Sequence, residues 1–153
     1  MHYRRLGRSG LKVSELSLGA WVTMGSQIDE KVSSELIHAA FDKGVNYFDN
    51  ADIYARGQAE TVMGKAIKDI PREEIVISSK VFWPTMEGPN GRGLSRKHIA
   101  ESIEQSLKRL GCEVTGIEDI LDLFDLLLRE TIANVVAEIV VVTGFDRLGD
   151  GLP

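Results

Sequence analysis

Cysteine is almost missing from this chain. Its one thiol, Cys112, cannot close an internal disulfide, and no histidine or second cysteine stands beside it at metal-ligand spacing. That excludes a disulfide-stapled secreted domain and gives no metal site, and it fits a reducing compartment. Long apolar runs are missing too. The most apolar stretch, "VVAEIVVV" at 135–142, is far too short to cross a bilayer, and the opening "MHYRRLGRSG" lacks the apolar segment of a signal peptide. Basic charge is also scarce: 18 Lys and Arg against 23 Asp and Glu leave a formal charge of -5. Such a surface offers no cationic face to a phosphate backbone or an anionic membrane, so neither nucleic acid nor membrane insertion is expected. A soluble, cytoplasmic protein is the reading. Finally, the turn "LGAWVTMGSQ" carries no G-x-G-x-x-G phosphate fingerprint, which argues against an ordinary dinucleotide fold.

What is present is an alternation of strands and helices. "HYRRLG" and "LKVSEL" flank "RSG" as a small hairpin, with Gly10 in its turn. A strand, "LSLGA", follows. Asp29 is placed to cap a helix whose Val32, Leu36, Ala39 and Ala40 recur at helical spacing and which Gly44 ends. "VNYFD" is the next strand; Val62, Met63, Ala66, Ile67 and Ile70 mark a second helix, stopped by Pro71. "EIVISSK" reads as a strand buried on both faces. Ser95 can cap a third helix with Ile99, Ile103, Leu107 and Leu110 on one side and Gly111 at its close. Three βα units in a row imply a parallel sheet with right-handed crossovers, as in a doubly wound sheet or a (β/α)₈ barrel. From 112 the pattern changes: apolar residues from Ile117 to Ile139 predict one long amphipathic helix, "IVVVTGF" a fourth strand and "DRLGDGLP" a frayed end.

Parallel α/β folds gather reactive groups at the carboxyl ends of their strands. "NYFDNADIY" puts Asp49 at such an end and Tyr54 just beyond it, while Lys80 ends the next strand. A lysine ammonium beside a phenol favours the phenolate, which makes the phenol a better acid, and a carboxylate keeps that lysine charged. The set suits carbonyl reduction, with hydride reaching carbon and the phenol giving its proton to oxygen. The three histidines fit no such role: His2 precedes the hairpin, and His38 and His98 fall within helices. Trp83, after the third strand, is placed either to line a cleft or simply to pack.

The blocks "YRRLGRSGLKVSELSLGAW", "GVNYFDNADIY", "VISSKVFW" and "RGLSRKHIAESIEQSLKRLG" resemble the aldo-keto reductase superfamily. "WVTMGSQI" and "RGLSRKHI" are similar to the branch of voltage-gated potassium channel β subunits and their bacterial relatives. The resemblance implies a (β/α)₈ barrel holding NADPH across its top, with Tyr54 as proton donor and Asp49 and Lys80 as its support. It further implies that Ala20, Trp21 and Gln27 contact the cofactor, together with Asp49 and Lys80, and that the substrate is an aldehyde or ketone. The likeness covers residues 1–111, the N-terminal part of a barrel, with 112–153 an atypical helical tail. Aligning "ILDLF" with the family's next strand puts Leu127 where the family has a polar residue.

A (β/α)₈ barrel needs about 250 residues, so this chain is expected to be a partial barrel of a hairpin and three to four βα units, lacking the family's adenosine and phosphate contacts. Two other readings follow from that shortfall. One is a non-catalytic half-barrel that binds another chain, or itself, through its open edge; the other is an inactive relict.

Overall fold

The structure is a computed structural model that describes residues 1–8 and 10–112. The expected long helix from Ile117, the fourth strand and Leu127 lie outside the described residues. β1 (Tyr3–Arg5) and β2 (Lys12–Ser14) pair antiparallel, Tyr3 opposite Ser14, as the expected hairpin. Asn46 ties it to the rest: its Oδ1 accepts from the Ser14 N–H at 2.7 Å and its Nδ2 donates to the Lys12 carbonyl at 3.0 Å.

β3 (Leu18–Gly19), β4 (Tyr47–Asp49) and β5 (Val76–Ser78) form a parallel sheet in that order, with Phe48 between Leu18 and Ile77. They alternate with α1 (Glu30–Asp42), α2 (Gln58–Ala66) and α3 (Arg96–Leu110), the three βα units the sequence predicts. The caps behave as their residue types require. Asp29 accepts from the Val32 N–H, Ser95 accepts from the His98 N–H, and Gly111 ends α3 in the left-handed conformation at φ 70. Phe48, Ile77, Ile37, Met63 and Met24 are sealed between sheet and helices, where truncation of one large side chain costs about 3–5 kcal/mol.

Two details depart from the expected pattern. In α1 the buried positions are Ser33 and Ile37, while Val32 and Leu36 face outward; the helix is rolled so that Ile37, with Ala40 and Phe41 beside it, meets the core. α2 stops at Ala66, short of Pro71, and a turn closed by the Ile70 N–H on the Ile67 carbonyl carries both isoleucines into the core. At the crossing of α2 and α3, Gly64 lies so close that a Cβ there would meet the Arg109 carbonyl oxygen at 2.5 Å. No helix among the described residues is long and apolar enough to cross a membrane.

Candidate active site

The strands are short, but their ladder continues past them. The Ala20 N–H donates to the Asp49 carbonyl, the Asn50 N–H to that of Ser78 and the Asp52 N–H to that of Lys80, at 2.8–3.1 Å. These bonds hold the three strand ends side by side and aim their next residues at one mouth. Asp49, Tyr54 and Lys80 meet there. Lys80 Nζ donates to both Asp49 oxygens at 2.7 Å, to the Asn50 carbonyl at 2.9 Å and to Tyr54 Oη at 3.3 Å. The ammonium also lies 5.1 Å from the Tyr54 ring centroid. Ser78 Oγ donates to Asp49 Oδ1 at 2.8 Å and accepts from Tyr47 Oη, which fixes the carboxylate.

Burial pulls the Lys80 pKa down, but the hydrogen bond and charge of Asp49, with Tyr54 adding to them, outweigh it and the net shift is upward. Lys80 is therefore a cation at neutral pH, held by a carboxylate and shared with a phenol. Such a group stabilises negative charge on the phenol oxygen.

Tyr54 reaches this position through an unusual backbone. After it, Ala55 at φ 48, Arg56 at φ 55 and Gly57 at φ 83 run left-handed in succession before α2 begins. Side chains other than glycine pay about 1 kcal/mol or more for that region. Val22, at φ 72, is a second such residue, in the loop after β3.

That loop carries the other residues expected to meet a cofactor. Ala20 is fully buried beneath the mouth. Trp21 is 70% exposed and stacks on Tyr54, ring centroids 6.2 Å apart and planes at 22°. Gln27 is exposed, with its backbone N–H on the Thr23 carbonyl at 2.9 Å. Trp83 is exposed and meets Phe82 edge-on. Of the histidines, His38 bonds Asp69 at the surface at 3.0 Å, and His98 is buried in the packing of α3. Burial lowers the pKa of His98. No group of three or more metal-ligating side chains occurs among the described residues.

Behind the mouth lies a second polar group that the sequence reading did not single out. Glu60, on the first turn of α2 and fully buried, accepts from Ser79 Oγ at 2.5 Å and from Arg109 Nε at 2.7 Å. Asp52 is buried beside them; burial first, then the charge of Glu60, raises its pKa to about 6, against the opposing pull of Ser102 and Arg109. The signal for Glu60 was a carboxylate set among Ala59, Val62 and Met63, on the apolar side of a helix.

The sequence pattern of the Aldo/keto reductase family matches residues 15–120. Over 119 residues the chain is 52% identical to a protein of Oryza sativa subsp. japonica named "Probable voltage-gated potassium channel subunit beta". It is 52% identical to an Arabidopsis thaliana protein of the same name. Each alignment takes in 76% of this chain but 36% of the relative, so the chain spans about a third of the length of the curated relatives it matches. The chain belongs to the aldo/keto reductase family, whose fold is the (β/α)₈ barrel, and its hairpin and three βα units are part of such a barrel.

Proposed function

We propose that the chain carries the proton-delivering part of an NADPH-dependent reductase of aldehydes or ketones. One observation carries the reading: Lys80 Nζ bridges both Asp49 oxygens at 2.7 Å and Tyr54 Oη at 3.3 Å at the strand ends. A substrate carbonyl oxygen beside Tyr54 Oη takes the phenolic proton, and the Lys80 ammonium stabilises the phenolate left behind. Asp49 holds Lys80 in place and charged. When bound, the nicotinamide supplies the hydride. The described residues suit that end of the cofactor: Trp21 presents an open indole face next to Tyr54, with Ala20 and Gln27 in the same loop. The reading predicts that Tyr54→Phe abolishes NADPH-dependent carbonyl turnover while the circular dichroism spectrum and unfolding midpoint stay those of the parent. Turnover unchanged by the substitution overturns it.

A second reading rests on the sheet. Among the described residues β3 and β5 each pair on one side only, and α1 leaves Val32 and Leu36 exposed. Unpaired edges and apolar side chains of this kind favour association. In this reading the chain is a non-catalytic half-barrel that completes its sheet with another chain, a second copy of itself included. Light scattering coupled to size-exclusion chromatography tests self-association directly: a dimer or larger assembly supports it, and a strictly monomeric, cooperatively folding chain argues against it.

A further inference from the structure

The polar cluster behind the mouth links the two halves of the proton-delivery site. Ser79 directly precedes Lys80, and its hydroxyl donates to Glu60 at 2.5 Å. The other Glu60 oxygen is held by Arg109 Nε at 2.7 Å, and Arg109 is steadied at the end of α3 by Ser106 Oγ at 3.4 Å. The Arg109 side chain in turn lies against the last residue of the left-handed turn that follows Tyr54. A Cβ on Gly57 would come 2.9 Å from Arg109 Cδ and Nε. Arg109 therefore supports the Tyr54 turn from below while it grips Glu60, and Glu60 grips the strand end that carries Lys80.

From this geometry we infer that Glu60 and Arg109 are positioning residues, a clamp that fixes the separation between the Tyr54 turn and the Lys80 strand end. The inference rests on the proposed reductase reading for its functional meaning, since it assigns neither residue to the reacting atoms. It explains why a full carboxylate is placed in the core at all. Glu60 has no exposure, and a buried ion pair is a poor source of net stability compared with apolar packing of the same volume. What this pair supplies is directional: two hydrogen bonds from two different elements converge on one rigid carboxylate.

The test reads Lys80 directly. The side-chain ammonium of Lys80 is titrated by ¹⁵N-detected nuclear magnetic resonance in the full 153-residue chain, in the parent and in Ser79→Ala and Glu60→Gln. The charged and titratable groups around this centre are Asp49 and Tyr54 at the mouth and Asp52, Glu60 and Arg109 behind it. Ser79→Ala changes none of those charges, so its effect reports geometry and not field. Because the close contact of Lys80 with Asp49 holds its pKa up, loosening the strand end moves the Lys80 midpoint down toward that of an ordinary lysine in both variants. A folded Ser79→Ala chain whose Lys80 midpoint equals the parent's overturns the clamp, whatever happens to its melting temperature. Should Glu60→Gln fail to fold, Ser79→Ala decides alone.

The titration needs neither cofactor nor turnover. An inactive parent whose Lys80 midpoint falls in Ser79→Ala overturns the reductase reading and leaves the clamp standing. An active parent whose Lys80 midpoint ignores the substitution overturns the clamp and leaves the reductase reading.

Discussion

Two ion pairs of nearly equal length sit back to back in this molecule. Lys80–Asp49 at the mouth and Arg109–Glu60 behind it both close at 2.7 Å, yet they are built for different ends. In the mouth pair the carboxylate keeps 29% of its side-chain exposure; in the inner pair it keeps none. The mouth cation divides its donors among a carboxylate, a backbone carbonyl and a phenol, and can redistribute them as charge moves. The inner carboxylate has a fixed donor on each oxygen, from β5's continuation and from α3, and no comparable freedom. In the proposed reading chemistry sits where a charge has several partners and access to solvent; rigidity sits where each oxygen has its own fixed donor.

Breaking each pair should separate the two roles, and the inner one should give the larger loss of stability. Glu60→Gln removes the charge of the fully buried partner and leaves Arg109, 27% exposed, without its counter-ion, for which about 3 kcal/mol of destabilisation is expected. Lys80→Met leaves an Asp49 carboxylate that is 29% exposed and still bonded by Ser78, and should cost about 1 kcal/mol while removing turnover in the proposed reading. Urea unfolding of the two variants checks the order, and a larger loss at Lys80 would reverse the comparison.

Asp52 sharpens it further. Its carboxyl titrates near 6 in the folded chain against an ordinary 3.8, so the folded state holds the proton more tightly than the unfolded state. Its contribution to stability is therefore complete below about pH 3.8 and is lost as pH rises through about 6, a total of about 3 kcal/mol. Asp52→Asn should flatten that part of the stability–pH curve and raise the unfolding free energy at pH 7. A slope left unchanged by the substitution between pH 4 and 7 would mean that burial does not raise the Asp52 carboxyl in the folded chain.

The smallest expected effect lies back at the mouth. Val22 is half exposed and left-handed, so it pays for its backbone with little packing in return. Val22→Gly relieves that strain, offset in part by the freedom glycine adds to the unfolded chain, and should raise stability by about 0.5 kcal/mol, read as a higher melting temperature. In the proposed reductase reading, strain that serves the cofactor makes the same variant bind NADPH less tightly in a fluorescence titration.

Much of this arrangement was legible in the sequence because it is local. Asp29, Ser95 and Gly111 announce helix ends through single-residue chemistry, and the structure finds all three in their caps. Asp49, Tyr54 and Lys80 were legible because parallel strands align their carboxyl ends, so residues at successive strand ends become neighbours without further information. Glu60 and Arg109 were not, because they lie 49 residues apart and their meeting depends on how two helices cross. The roll of α1 was hidden for a related reason: Val32 and Leu36 match a helical period as well as Ile37 does, and only the position of α2 and the sheet selects between the stripes. The left-handed run of Ala55 and Arg56 has no compositional mark at all, since neither residue favours that region.

The close crossing of α2 and α3 at Gly64 makes one hydrogen atom a lever. Its nearest neighbours are backbone atoms of Arg109 and Leu110, which cannot swing aside as a flexible side chain would. A single added methyl group must therefore pry the end of α3 away as a unit, and the arginine anchored there travels with it. Through the clamp inferred above, a mutation at a residue with no side chain would thus be felt at the tyrosine and the lysine as a change of aim. Screens that look for loss of function only among polar residues would pass it by.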